Sequence, residues 1–201
     1  MNLIKGSWAA LITPFTQNDQ LDFAALDRLL DLHLAAGTDG LVICGTTGES
    51  ATLSFDEKKA LMKAVTSKVV GKIALMLGTG SNDTRATCEL TAKAAELGAE
   101  SVLVVTPYYN KPPQEGLKQH FKAAAAATSL PVVLYNVPGR TGCNMMADTT
   151  LELAEISNIV AVKEASGNLD QAMEIIRRAP EGFTLLSGED ALNLPIMACG
   201  G

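Results

Sequence analysis

Apolar, β-rich runs recur along the chain at near-regular intervals. They are Trp8 to Ile12, Gly40 to Cys44, Ile73 to Leu77, Ser101 to Val105, Pro131 to Tyr135, Ile159 to Lys163 and Phe183 to Leu186. Their starts lie roughly 24 to 33 residues apart, the size of one strand-helix-strand step. Between them the apolar positions take helical spacing, over Phe23 to Ala36, Phe55 to Val69, Asp83 to Leu97, Gln114 to Ala127, Thr149 to Ile156 and Leu169 to Arg178. Ser54 ahead of Asp56-Glu57 reads as a helix start, and Gly37 and Gly98 read as helix stops. No Pro/Ser-rich linker or low-complexity tract interrupts the series, so one domain is expected over residues 1–201.

Strict alternation of this kind predicts an α/β fold with a parallel sheet, either closed into a barrel or open and doubly wound. An open sheet concentrates its Gly-rich signature in one turn after the first strand. Here polar clusters follow nearly every strand: Thr46-Thr47-Gly48-Glu49-Ser50, Gly78-Thr79-Gly80-Ser81-Asn82, Thr106-Pro107-Tyr108-Tyr109-Asn110, Asn136-Val137-Pro138-Gly139-Arg140 and Ser187-Gly188-Glu189-Asp190. Chemistry spread over many strand ends is the mark of a (β/α)8 TIM barrel. Only seven strands can be counted, and Ala198-Cys199-Gly200-Gly201 stands where an eighth would be due. The expectation is therefore an incomplete barrel with an open seam, cut at its C-terminal side, because such barrels usually need about 250 residues.

Composition narrows the possibilities. Of 201 residues, 47% are hydrophobic and 19% charged, which fits a globular chain with a sizeable core. A net charge of −6 argues against nucleic acid or an anionic membrane as partner. No apolar stretch is long enough to span a bilayer, and no signal peptide is read at the N-terminus. Cys44, Cys88, Cys143 and Cys199 lie far apart without CxxC or paired His spacing, so they read as small buried thiols in a reducing, cytoplasmic compartment. His33 and His120 read as structural or surface residues. Neither a metal nor any other cofactor is expected.

Lys163 carries the functional signal. It ends the apolar run Ile159-Val160-Ala161-Val162, and a strand buried on both faces has little reason to hold an ammonium. Desolvation lowers the pKa of such a lysine and leaves a nucleophilic amine suited to Schiff-base chemistry. A lysine snorkelling at the strand end and paired with Glu164 is the plainer reading. Tyr135 ends the neighbouring strand, where a phenol can pass protons or simply line the rim. Thr46 and Thr47 offer hydroxyls and backbone N–H groups to a carboxylate, and equally read as a hydroxyl-rich turn. Arg140, after Pro138-Gly139, projects from a tight loop as a carboxylate clamp or as an exposed arginine. Tyr108-Tyr109, bracketed by Pro107 and Pro112-Pro113, reads as an exposed pair at an interface. Glu49 and Glu189 read as acid/base carboxylates or as loop charges.

With these residues in view, the chain resembles the 4-hydroxy-tetrahydrodipicolinate (dihydrodipicolinate) synthase family, within the N-acetylneuraminate lyase superfamily of class I aldolases. The likeness runs from Gly6-Ser7-Trp8 through Gly201. It rests on Gly45-Thr46-Thr47-Gly48-Glu49-Ser50, Thr106-Pro107-Tyr108-Tyr109-Asn110-Lys111-Pro112, Tyr135-Asn136-Val137-Pro138-Gly139-Arg140-Thr141-Gly142, Lys163-Glu164-Ala165-Ser166-Gly167-Asn168 and Leu186-Ser187-Gly188. The resemblance implies that Lys163 forms an imine with pyruvate, whose carboxylate Thr46 and Thr47 receive, while Tyr135 shuttles protons. It implies that Tyr109 crosses a dimer interface to complete a relay with Thr47 and Tyr135 of a neighbouring subunit. Arg140 would bind the carboxylate of L-aspartate-4-semialdehyde, and the Gly188 carbonyl would line the pocket. The implied product is 4-hydroxy-tetrahydrodipicolinate, toward diaminopimelate and lysine, and the implied assembly is a homotetramer, a dimer of dimers. The family also supplies a last strand, a last helix and a small C-terminal helical domain, for which this chain has no counterpart.

One departure bears on regulation. Members inhibited by lysine bind it near positions matching Ser50, Ala51, Asn82 and Tyr108, all retained here. At the polar or acidic positions that complete that pocket stand Phe55, Lys58 and Ala86, so weak or absent feedback is expected. Two rival readings remain: a related aldolase that cleaves N-acetylneuraminate or a 2-keto-3-deoxy sugar acid, and an inactive fragment. Sialic-acid lyases usually lack an arginine at the Arg140 position, which favours the synthase.

Overall fold

A computed structural model describes residues 4–201. Seven strands, β1 (Trp8–Ala10), β2 (Gly40–Ile43), β3 (Ala74–Gly78), β4 (Ser101–Val105), β5 (Val132–Asn136), β6 (Ile159–Glu164) and β7 (Thr184–Ser187), form one sheet. The helices are α1 (Phe23–Ala36), α2 (Phe55–Val69), α3 (Thr84–Lys93), α4 (Gln114–Ala126), α5 (Pro138–Thr141), α6 (Ala147–Ala154), α7 (Leu169–Arg178) and α8 (Asn193–Ala198). Strand order follows chain order and every neighbouring pair is parallel. That excludes the doubly wound alternative, whose order reverses in mid-sheet. All strand C-termini consequently share one edge, where the polar clusters lie.

Local chemistry explains the helix bounds. Asp22 caps α1 by accepting the Ala25 N–H at 2.8 Å, and Gly37 ends it in the left-handed region, φ 67°. Ser54 and Glu57 form a reciprocal capping box at the start of α2. Asn168 caps α7 through the Gln171 N–H.

Alternation along the strands builds two cores. Leu41, Ile43, Leu75, Leu77, Val102, Val104, Leu134 and Val162 face outward under the helices, where they meet Leu30, Met62, Val65 and Phe121. Val42, Met76, Leu103, Val133, Tyr135 and Ala161 turn inward and pack on one another, as the curl of a barrel-type sheet requires. Among the described residues β1 and β7 are the two edges and do not pair with each other, so the expected seam is open.

Several details differ from the sequence reading. α3 stops at Lys93, short of Leu97, because the chain tightens into turns in which Ala94 and Gly98 bond carbonyls only three residues back. α6 runs two residues ahead of its expected bounds. The segment after Pro138 is one helical turn and not a loop, with Pro138 at its first position and the Gly142 N–H closing on the Pro138 carbonyl. Residues Asp190–Leu192 form a 3-10 turn leading into α8, and no strand follows it in the described chain.

All four cysteines are free, with Cys44 and Cys143 buried and Cys88 and Cys199 only partly so. Among the described residues no helix is long and apolar enough to cross a membrane. His33 bonds Thr38 through Nδ1 at 3.0 Å. His120 is buried between α4 and α3, with Nδ1 2.8 Å from the Thr84 hydroxyl and its ring edge-on to Phe121. Burial pushes its imidazole down to about 4 from the ordinary 6.5, and Asp83 only partly offsets this. The folded state therefore holds His120 neutral where the unfolded chain would take a proton, so stability is complete above pH 6.5 and is lost as pH falls toward 4. Melting temperatures measured across this range should fall less steeply in His120→Phe than in the parent.

Candidate active site

Lys163 is the fifth residue of β6 and, like Ala161 two positions before it, turns into the curl of the sheet. Its partner in register on β5 is Tyr135. The two side chains meet there, with the Lys163 Nζ 4.6 Å from the centre of the Tyr135 ring. Burial pushes the Lys163 ammonium below the ordinary lysine range, Asp190 opposes that shift, and Arg140 reinforces it. Gly188, just past β7, makes room for the lysine stem. A Cβ at this position would lie 2.9 Å from Lys163 Cε and 3.0 Å from Cγ. The plainer reading of Lys163 as the partner of Glu164 fails, because consecutive strand residues face opposite sides.

Tyr135 is buried, 6% exposed, and burial raises its phenol above the ordinary tyrosine value. The Thr46 side chain and the Arg140 charge both temper that rise. Thr46 sits on a turn held by backbone bonds from Gly48 to Gly45 at 3.0 Å and from Glu49 to Thr46 at 3.0 Å. The Thr13 hydroxyl, buried, clamps the same turn from below by donating to the Gly48 carbonyl at 2.7 Å. Both threonine side chains are left exposed.

One cavity opens at this end of the sheet, and a second runs from it down the inside of the curl along the open seam, as far as Trp8 and Thr184 at the strand starts. The first, about 470 Å³, is lined by Thr46, Glu49, Lys58, Tyr108, Tyr135 and Arg140 among others. The second, about 680 Å³, is lined by Lys163, Asp190 and residues of the open seam. Leu103 borders both, and the Tyr135 ring bridges them, since it lines the first and carries the Lys163 ammonium on its face. The structure thus gathers Thr46, Tyr135 and Arg140 in one cavity and sets Lys163 beside it, with Gly188 against the lysine stem. Thr47 and Tyr109 line neither cavity. Tyr109 is 88% exposed and holds a positive φ of 71°, while Tyr108 is half-buried.

Glu49 and Glu189 are exposed loop residues. Cys44 borders the first cavity, but burial pushes its thiol up to about 11, against a smaller opposing pull from Lys58, which keeps it protonated and inert. Among the described residues no group of His, Cys, Asp and Glu side chains is gathered to hold a metal.

Sequence reasoning missed three contributors. Asp190 is the carboxylate that acts on Lys163, one residue along from the Glu189 that was singled out. Thr13 lay hidden at the end of the first apolar run. Glu164 lies buried on the far side of β6, bonded to Asn136 and Gln171. The signal for the last was available: alternation from Lys163 puts it under the helices.

Fold and site define a class, a parallel α/β chain that presents a desolvated strand lysine beside a phenol at the C-terminal ends of its strands. The chain belongs to the Dihydrodipicolinate synthetase family, which it matches over residues 3–201. It is 53% identical to 4-hydroxy-tetrahydrodipicolinate synthase 1 of Halalkalibacterium halodurans over 96% of its own length and 65% of that relative's. It superimposes on the dihydrodipicolinate synthase of Aquifex aeolicus with a TM-score of 0.95 at 46% identity, covering 98% of this chain and 68% of that one. On the chloride-inhibited dihydrodipicolinate synthase of Acinetobacter baumannii complexed with pyruvate the TM-score is 0.96 at 43% identity, covering 98% and 68%. The chain spans about two thirds of the length of these relatives.

Because a side chain at 188 would collide with the lysine stem, Gly188→Ala should displace Lys163. A misplacement near 1 Å at a reacting group lowers rates on the order of 100-fold. The rate of Lys163 modification by a small keto acid with borohydride should fall accordingly in that variant, with the melting temperature little changed.

Proposed function

We propose that the chain is the greater part of a 4-hydroxy-tetrahydrodipicolinate synthase, a Schiff-base lyase that condenses pyruvate with L-aspartate-4-semialdehyde. One observation carries this reading: the half-buried Lys163 amine lies over the Tyr135 ring beside a cavity that holds a guanidinium and a threonine hydroxyl. A neutral amine adds to the ketone of pyruvate, and loss of water gives the imine. Removal of a methyl proton converts the imine to an enamine, which attacks the aldehyde of the second substrate. Tyr135 passes the protons of these steps. Thr46 and Thr47 receive the pyruvate carboxylate, the Gly188 carbonyl lines the pocket, and Arg140 binds the carboxylate of the semialdehyde. The rival lyase of N-acetylneuraminate or 2-keto-3-deoxy sugar acids has no use for Arg140 in this cavity. The Acinetobacter relative complexed with pyruvate supports the choice of first substrate.

In this reading residues 1–201 supply the first seven strands of a (β/α)8 barrel, and an eighth strand, a last helix and a C-terminal helical domain complete it. The sequential strand order and the inward core support that closure. The protein works in the cytoplasm as a homotetramer, a dimer of dimers. Tyr109 supports the dimer: a bulky residue at φ 71° costs on the order of 1–3 kcal/mol and projects 88% exposed, as a side chain destined for a neighbouring subunit would.

Borohydride trapping with pyruvate, followed by peptide mass mapping, tests the mechanism. A single reduced pyruvyl adduct on Lys163 is expected, absent in Lys163→Ala. Because the free amine reacts and its pKa is depressed, adduct formation should be half-maximal below the ordinary lysine value of 10.5. A cooperatively folded sample that yields no adduct would refute the Schiff-base reading.

Regulation follows from the same cavity. Lys58 lines it together with Ser50, Ala51 and Tyr108, and the Lys93 ammonium lies 4.8 Å from the centre of the Phe55 ring nearby in sequence to Lys58. Ala86 is exposed and offers no carboxylate to an effector ammonium. A lysine effector there meets the Lys58 ammonium and gains no carboxylate from position 86. Feedback inhibition should be weak or absent, and an inhibition curve with its midpoint at sub-millimolar lysine would contradict this.

A further inference from the structure

Behind the strand ends, on the face away from both cavities, lies a buried network built around a carboxylate. Glu164 is 2% exposed. It accepts the Asn136 Nδ2 at 3.0 and 3.2 Å, the Gln171 Nε2 at 3.1 Å and the Ser166 backbone N–H at 2.7 Å. Among the described residues no Lys, Arg or His forms a salt bridge with it. A buried carboxylate without a cation is costly by several kcal/mol unless neutral donors satisfy it, and here they come from β5, from α7 and from the turn after β6.

The donors cannot rotate away. Asn136 Oδ1 accepts the Met145 N–H at 2.9 Å, and Gln171 Oε1 accepts Asn144 Nδ2 at 2.9 Å. Turning over either amide would set a carbonyl against Glu164 and an N–H against an N–H. The network therefore has one arrangement.

Its place in the sheet gives it a consequence on the other face. Asn136 and Glu164 are partners in register, one step beyond the pair Tyr135 and Lys163. Backbone bonds continue the ladder past them, from Ala165 to the Asn136 carbonyl and from Gly188 to the Glu164 carbonyl, each at 2.8 Å. On the inner face the Lys163 Nζ lies over the Tyr135 ring and, among the described residues, makes no side-chain hydrogen bond. Beyond the backbone ladder, the directional side-chain bonds at this level of the sheet are those of the outer face.

We propose that Glu164 is a positioning residue for Lys163: bonded to Asn136, Gln171 and Ser166, it locks the ends of β5 and β6 in the register that sets the lysine amine over the Tyr135 ring. This rests on Lys163 being the nucleophile, as proposed above. Glu164 acts through geometry, since burial, Asp190 and Arg140 are what shift the Lys163 ammonium.

The test is competitive acetylation of the full chain with trace acetic anhydride across pH, read at Lys163 by peptide mass mapping, with melting temperatures on the same samples. Glu164→Gln places an N–H against a donor that cannot turn, and Gln171→Met removes one donor only. With the lock released, Lys163 gains solvent, so its titration midpoint should rise toward that of an exposed lysine. Its free-amine fraction at neutral pH should fall in Glu164→Gln, and by less in Gln171→Met. An unmoved midpoint in both folded variants, whatever their loss of melting temperature, would overturn the proposal. Should Glu164→Gln not fold, Gln171→Met decides by the same criterion. Acetylation needs no pyruvate, so a failed Schiff-base reading would show separately as a missing pyruvyl adduct in the parent.

Discussion

Alternation of side chains across β6 is the constraint on which the site depends. Lys163 and Glu164 are adjacent in the chain, and the pleat sends one into the curl and the other under the helices. β5 repeats the arrangement with Tyr135 and Asn136, in register with them. A slip of one residue would carry the carboxylate inward and the ammonium beneath α7, where only amide donors wait. The hydrophobic faces forbid the slip: Ala161 and Val133 belong to the inner core, while Val162 and Leu134 belong to the outer. Packing that looks generic thus fixes which of two charged neighbours becomes available for chemistry.

Charge around that lysine is balanced by position. Burial disfavours the ammonium, Arg140 adds repulsion, and Asp190 restores part of its stability. A fully neutral lysine would gain no help in re-protonation, and a fully charged one could not attack a carbonyl. Cys44, a thiol bordering the first cavity, is kept protonated by its own burial. The same physical effect acts oppositely on the two groups, because desolvation favours the neutral form of each and only the amine is nucleophilic when neutral.

Much of this was legible in the sequence, for identifiable reasons. The bounds of α1, α2 and α7 were legible to the residue because helical spacing runs to their ends, with Ser54 marking the start of α2 and Gly37 the stop of α1. The strands were legible as apolar runs, and Lys163 stood out as a charge ending one of them. α5 escaped because four residues are too few to show periodicity. The helical stretch after Asp190 escaped for the same reason, since a three-residue turn and a six-residue helix show no periodicity. Asp190 and Glu164 were missed for another reason. Their roles are set by what lies opposite them, Lys163 on β6 for one, Asn136 on β5 and Gln171 on α7 for the other, and no local pattern carries that information. Arg140 lines the first cavity, yet its support was misjudged, since a helical turn and not a loop carries it.

The strict sequential order of the sheet has a bearing on how the molecule comes into being. Each strand pairs with the one synthesised just before it, so the sheet can lengthen by one strand each time some thirty residues leave the ribosome. At every stage the growing edge is the newest strand, and the raw edge of β1 stays unpaired throughout. The lysine and the phenol come together only when β6 docks, late in this progression. The nascent chain therefore carries sticky backbone long before it brings the lysine and the phenol together, and shielding of the β1 edge is its earliest need.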